Sequence, residues 1–367
     1  MKGQTISKLF EGINLNNIKL NIRIAMAPMT RSRAIGYVPN DLMVKYYQQR
    51  ASAGLIITEG IAPSPNGLGY ARIAGIYSQE QIDGWKKITD VVHAEGGKIF
   101  AQLMHVGRVA HPVNMPAGAK VLAPSAVAAT GEIWTDAEGM QPYATPAEMN
   151  GEELQAAIQE FVNTSKNSIE AGFDGIELHG ANGYLLEQFL NPHTNTRTDA
   201  YGGSVENRIR FVVEVTKRVA EAIGKERVGI RLSPYNQFNG MSLYDEVFET
   251  YDKLTKEIGK LDIAYIHLVD YAARQYNADL IDIIRSNFSG TYILNAGYTL
   301  ERANEVLEAG VADMVSFGSP FISNPDLPHR LQNNIALTQP DPSLFFTPGE
   351  QGYIDYAFAA ETENANA

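Results

Sequence analysis

Residues 203–234 read GSVENRIRFVVEVTKRVAEAIGKERVGIRLSP. Val, Ile and Phe recur at helical spacing through residue 223, and the short run VGIRLSP (228–234) follows. That run does not alternate apolar with polar. A short Val/Ile/Leu stretch of this kind fits a parallel strand covered on both faces. A helix feeding such a strand is one βα repeat, and the rest of the chain repeats it.

Toward the N-terminus the strand-like runs are NIRIAMAPM (21–29), GLIITEG (54–60), KIFAQLM (98–104) and GIELHG (175–180). Helical patterns at 41–53, 79–96 and 150–172 separate them, with Asn150 as a cap and Gly96, Gly97 and Gly172 as stops. Toward the C-terminus AYIHLVD (264–270), TYILNAG (291–297) and ADMVSFGSP (312–320) alternate with helical runs at 242–259, 277–288, 299–310 and 324–335. Eight strands alternating with helices predict an α/β fold, a (β/α)8 TIM barrel, rather than an open sheet. KLFEGINLNNIKL, within about residues 1–20, predicts an N-terminal hairpin capping the barrel bottom. A polar excursion follows strand 3, from about 106 to 150. Nothing splits the chain, so 1–367 reads as one domain with a loose tail from about 355 to 367.

Thirty basic against 42 acidic residues leave a net charge of −12. A nucleic-acid partner or an anionic membrane surface is therefore not expected. The absence of cysteine removes disulfides, thiolate metal sites, Fe–S clusters and a Cys nucleophile. No apolar run reaches the ~20 residues of a transmembrane helix. No signal peptide is read in MKGQTISKLFEG, and a soluble cytoplasmic protein is expected. There is no GxGxxG, Walker loop, HExxH or EF-hand pattern.

Catalytic groups of such barrels sit at the C-terminal ends of the strands. Strand 5 carries Arg231 inside an apolar run. A buried guanidinium needs an acceptor, either a ligand or a core carboxylate such as Glu177 or Glu59. Strand 4 ends in His179, followed by Asn182 and Tyr184. His and Asn can both donate to one oxygen and draw charge from a carbonyl, and a tyrosine nearby can supply a proton. The bland alternative is a satisfied structural histidine beside one of 18 tyrosines. A metal site on His179 and Glu177 lacks a third ligand. Gln102 and Thr30 are uncharged groups suited to the edge of a flat heterocycle, or to a loop. Gly297 and Gly318 would let backbone N–H groups approach a phosphate, or simply turn the chain.

The segments KLFEGINLNNIKLNIRIAMAPMTRSR, QLMHVGR, APSA, GFDGIELHGANGYLLEQFLNPHTNTRTDAYGGSVENRIRF and FGSPFISNPDL resemble the old yellow enzyme family of FMN-dependent ene-reductases, in its N-ethylmaleimide/nitroester reductase-like branch. The resemblance spans nearly the whole chain and implies FMN across the barrel mouth. It implies that Pro28, Thr30, Gly60, Gln102, Arg231, Ala296, Gly297, Gly318 and Ser319 hold the flavin. Tyr70, Met104, His179, Asn182 and Tyr353 would line the substrate site, with Tyr184 as proton donor. The implied reaction is ping-pong: NADPH or NADH reduces the flavin, which then passes hydride to an α,β-unsaturated carbonyl or nitro compound. A monomer or small homo-oligomer is expected. Two positions depart from the pattern. Ser319 replaces an Arg on the phosphate, which predicts weaker FMN retention. Met104 replaces a Trp common in nearby members, which predicts a roomier pocket. The alternatives are a flavin-binding barrel with little or no activity, another FMN barrel reductase of the same superfamily, and a flavin-free lyase barrel. Fe–S reductases need Cys, and lyases need a Schiff-base Lys or a metal; neither is found at the strand ends.

Overall fold

The computed structural model describes residues 7–359. Eight parallel strands close into a barrel. They are β1 (Ile24–Met26), β2 (Leu55–Ile61), β3 (Ile99–Leu103), β4 (Gly175–Gly180), β5 (Val228–Leu232), β6 (Tyr265–Val269), β7 (Thr291–Asn295) and β8 (Met314–Phe317). The helices that follow them are α1 (Asp41–Gln49), α2 (Gln79–Ala94), α3 (Gly151–Glu170), α4 (Val205–Ile223), α5 (Val247–Gly259), α6 (Asp279–Asn287), α7 (Leu300–Glu308) and α8 (Leu327–Gln332). The order is the predicted one. Asn150 caps α3 in a reciprocal capping box with Glu153. No helix among the described residues is long and apolar enough to cross a membrane.

Helix ends moved where side chains intervened. α5 starts at Val247 instead of 242, because Asn191 Nδ2 holds the Ser242 carbonyl at 2.7 Å and keeps that stretch in the loop. The last helical run, expected over 324–335, is α8, and a short helix Ser319–Ser323 precedes it where the last strand was expected to run on to 320; Asn324 turns its amide onto the Pro320 carbonyl between the two.

Alternation along the strands fills the barrel in layers. The lowest layer is apolar: Ala25, Leu55, Ile57, Phe100, Tyr265, Ile293 and Met314 pack with Leu15 and Leu20. Those two leucines come from the antiparallel hairpin Ile13–Leu15/Ile18–Leu20, so the N-terminal segment closes the bottom as expected; residues 1–6 lie outside the described chain. Two residues further along β3, β6 and β8, and at Glu177 of β4, the layer turns polar. Glu177 takes a 2.8 Å bond from Gln102 Nε2 and one of the same length from His267 Nδ1, and His267 Nε2 meets Ser316 Oγ at 2.8 Å. Burial lowers the His267 pKa, so the neutral ring donates to Glu177 and accepts from Ser316. Two residues beyond Glu177 stands His179, paired with Arg231 across β4 and β5, and Arg231 reaches Asn295 at the end of β7.

The excursion after β3 carries an antiparallel hairpin, Glu132–Thr135/Gly139–Pro142. The tail is tied down as far as it is described. Arg330 donates to the Ala357 carbonyl, and the Ala359 N–H reaches Asp326 Oδ2 at 2.7 Å. The loose tail expected from about 355 is therefore held at 357 and 359 by α8; residues 360–367 lie outside the described chain.

Candidate active site

A cavity of about 1110 Å3 opens at the C-terminal ends of the strands. That is at the upper limit for a drug-sized ligand, and leaves space for a cofactor head and a second molecule. Pro28, Thr30, Tyr70, Gln102, Met104, His179, Asn182, Tyr184, Arg231, Gly318 and Ser319 line it.

The donors are held from behind. Arg231 gives one bond to Asn295 Oδ1 at 2.6 Å, while its Nε has no protein partner although buried. No ion pair forms with Glu59 or Glu177. Glu59 bonds Tyr47, and Glu177 is engaged by Gln102 and His267. Burial lowers the Arg231 pKa and Glu177 opposes the shift; an arginine still stays charged at neutral pH. His179 Nδ1 is also buried without a partner. Burial first, then Arg231 and His267, holds its pKa well below the usual value, so the ring is neutral and donates one N–H. Two orphaned buried nitrogens on neighbouring strands call for an acceptor-rich ligand between them.

Asn182 is fixed on every side. Its φ is +58°, its N–H bonds Ser233 Oγ at 2.8 Å, its carbonyl takes Asn239 Nδ2 at 2.8 Å, and its Oδ1 takes Asn236 Nδ2 at 2.9 Å. The side-chain oxygen is occupied, which leaves the Nδ2 as the free donor. Gly183 has φ +77°, and a Cβ there would stand 2.8 Å from the Phe238 carbonyl; only glycine fits. Glu187 braces the turn from below, accepting from the Gly183 N–H at 2.6 Å, Ser233 Oγ at 2.8 Å and Tyr251 at 2.7 Å. Burial raises its pKa to about 7. The Tyr184 ring meets the His179 ring at 4.8 Å, and its hydroxyl lies 3.1 Å from that of Tyr70. Burial raises the pKa of both phenols, which keeps them protonated.

Gln102 spends its amide N–H on Glu177, so its oxygen is free to accept from a ring N–H. Ala296 and Gly297 both have positive φ, +91° and +74°, at the tip after β7. They lie outside the set that lines the cavity, beside Asn295 and across from Gly318 and Ser319, which belong to it. Gly60 is also set back. A Cβ there would sit 2.5 Å from Met104 Sδ, so Gly60 makes room for Met104 rather than facing the cavity.

Tyr353 is a correction. It does not line the cavity: it is fully buried and stacks on Tyr46 of α1 at 4.2 Å. Arg31 and Arg33 lie over its ring and draw in the carbonyls of Gly352 and Phe345. That clamp turns Tyr353 inward and leaves Phe345, Phe346, Thr347 and Pro348 as the cavity wall. Sequence reasoning also missed Asn236 and Asn239, which hold Asn182, and the 132–142 hairpin over the mouth. Their loops carry no periodic signal.

The profile of the NADH:flavin oxidoreductase / NADH oxidase family matches residues 8–338. The chain belongs to this family, the old yellow enzymes. It is 40% identical over 363 residues to a probable flavin mononucleotide-dependent alkene reductase of Leishmania infantum, covering 97% of this chain and 98% of that one. It is 39% identical over 386 residues to 12-oxophytodienoate reductase 7 of Oryza sativa subsp. japonica, covering 98% and 97%. Among solved structures, morphinone reductase superposes with a TM-score of 0.92 at 40% identity over 98% of both chains. The old yellow enzyme homologue from Zymomonas mobilis gives 0.90 at 39%, over 95% and 99%. This member is accordingly an oxidoreductase that works with FMN and a nicotinamide coenzyme. Its residues fit the flavin: the free Gln102 oxygen and the unpartnered Arg231 nitrogen are the acceptor and donor that a flavin edge requires.

Proposed function

We propose that this old yellow enzyme reduces the C=C bond of small α,β-unsaturated carbonyl or nitro compounds in a ping-pong cycle, in the cytoplasm, where reduced nicotinamide coenzyme is supplied. Pro28, Thr30, Gln102 and Arg231 would hold the flavin head, with Ala296, Gly297, Gly318 and Ser319 at its phosphate. When bound, FMN supplies the hydride, received from NADPH or NADH and passed to the substrate's β carbon. His179 and Asn182 both donate to the substrate's activating oxygen, which draws electron density off the double bond. Tyr184 gives its proton to the α carbon, and Tyr70 sits at hydrogen-bond distance from the oxygen left behind. The Arg231 cation would favour negative charge at the edge of the flavin it holds. Chemistry at the flavin and chemistry at the tyrosine are thus carried by different residues.

The observation that carries this reading is the buried, unpartnered His179 Nδ1 beside an Asn182 whose oxygen is already engaged. Tyr184→Phe tests it. The alkene half-reaction should slow by about 10²- to 10⁴-fold, the usual worth of a general acid, with flavin reduction by coenzyme nearly unchanged. Equal loss in both halves would contradict the role.

A further inference from the structure

Glu177 is a fully buried carboxylate that does not line the cavity. Its two bonding partners are neutral: Gln102 Nε2 on Oε1 and His267 Nδ1 on Oε2, both at 2.8 Å. A carboxylate that accepts twice and donates nothing is in its ionised form. The His267 ring continues the chain to Ser316 Oγ at 2.8 Å, and burial keeps that ring neutral. Taking a carboxylate out of water without a bonded cation is costly. The hydride and proton steps leave this one unused.

Two of its effects reach the cavity. The first is orientation. A Gln102 amide turned over would set its oxygen against a carboxylate oxygen. Glu177 forbids that, so Gln102 always offers an acceptor. The second is charge. Glu177 stands on β4 two residues before His179, which pairs with Arg231 across β4 and β5; His267, its bonding partner, pairs with Arg231 across β5 and β6. Among the groups that hold charge on Arg231 against burial, Glu177 comes first. The guanidinium's own bond goes to the neutral Asn295, at 2.6 Å. The cation at the end of β5 therefore works against an anion fixed in the layer below. Charges buried in this way are little screened.

We propose that Glu177 is a positioning residue for the flavin: it presents the Gln102 oxygen to the cofactor, and its charge offsets part of the Arg231 cation and so holds the flavin's reduction potential down. This holds for a flavin placed, as proposed above, against Gln102 and Arg231. A fixed negative charge near a redox group opposes its taking up electrons. The bound cofactor is then slower to accept from the coenzyme and readier to give to the alkene.

Glu177→Gln removes the charge and can keep every bond. The new amide oxygen accepts from Gln102, the new nitrogen donates to His267 Nδ1, and the imidazole proton moves to Nε2 and donates to Ser316 Oγ. The first readout is the midpoint potential of bound FMN in an anaerobic spectroelectrochemical titration. The two-electron equilibrium should move about tenfold toward the reduced form, a rise of about 30 mV. Stopped-flow half-reactions should split in opposite directions, with reduction by NADPH about threefold faster and reoxidation by 2-cyclohexenone about threefold slower. Loss of rate in both halves would mark a merely structural role and overturn the proposal. Ser316→Ala breaks the same chain at its far end and keeps the charge, so the potential should stay where it is. Glu177→Asp also keeps the charge but shortens the reach to Gln102. FMN should then bind about tenfold more weakly in a fluorescence titration, with the potential unmoved. That variant decides the matter if Glu177→Gln does not fold. An unmoved or lower potential in Glu177→Gln, or an equal rise in Ser316→Ala or Glu177→Asp, would overturn the charge effect. Undiminished FMN affinity in Glu177→Asp would overturn the orienting one. A Gln102→Leu variant that binds FMN as tightly as the parent would show instead that the flavin is not seated on this edge, and the placement itself would fail.

Discussion

Tyr184 and Tyr70 share a 3.1 Å contact between hydroxyls, while His179 reaches into the same space with an unpaired nitrogen. Each residue's part follows from what its neighbours leave free. Removing the imidazole by His179→Ala deletes one donor to the substrate oxygen. An enone KM about tenfold higher, and phenol binding weakened by a similar factor, are expected from the worth of one hydrogen bond. Unchanged phenol affinity in a binding titration would contradict the donor role. At the proposed phosphate end Ser319 is small and uncharged. Ser319→Arg adds a charge-assisted pair and should tighten FMN by about tenfold, read as retention through dialysis or as flavin-fluorescence titration. No gain would mean that backbone groups already satisfy the phosphate. The gathering of His179, Asn182 and Tyr184 at one cavity was legible in the sequence because they crowd the end of one strand. Tyr353 was misplaced because position in the chain says nothing of which way a tail residue turns once Arg31 and Arg33 seize the carbonyls of Gly352, Gln351 and Phe345 before it.

At the scale of elements, strands β1 to β8 were readable from their apolar runs, and β4 was bounded as predicted at Gly175–Gly180. Unbroken runs betray strands covered on both faces. The 132–142 hairpin was not readable, because it is only half-buried and packs on a loop rather than on the core. The tail clamp was equally silent: it consists of arginine-to-carbonyl bonds, and carbonyls carry no sequence. Beneath that clamp Glu59 lies fully buried, bonded to Tyr47 but with Oε2 unpartnered. Burial raises its pKa to about 7, against bonding from Tyr47 and the pull of Arg31 and Arg33. The folded chain therefore binds this proton more firmly than the unfolded chain does. The stabilising contribution is complete below about pH 4.5 and disappears as pH rises through about 7. Glu59→Gln should match the parent near pH 5 and exceed it in thermal stability at pH 8. A variant that loses stability equally at both pH values would show that the ionised carboxylate is needed.

For the whole molecule, the barrel sorts chemistry by depth: leucines and aromatics below, the Gln102–Glu177–His267–Ser316 chain between, and open donors at the top. The middle layer is set before any ligand arrives, since Glu177 orients Gln102 and leaves its oxygen free. This ordering was half legible. The strand count and the alternation of residues predict it, while the partners of each polar group required the closed barrel. The central claim is that one site serves two half-reactions, with the coenzyme and the alkene visiting in turn. An anaerobic visible-absorption titration of the FMN-loaded protein tests it most directly: NADPH is added first, then 2-cyclohexenone once the coenzyme is spent. The account predicts bleaching of the flavin band by NADPH and its full return on adding the enone. Bleaching that cyclohexenone does not reverse, or a flavin band that NADPH leaves untouched, would contradict it.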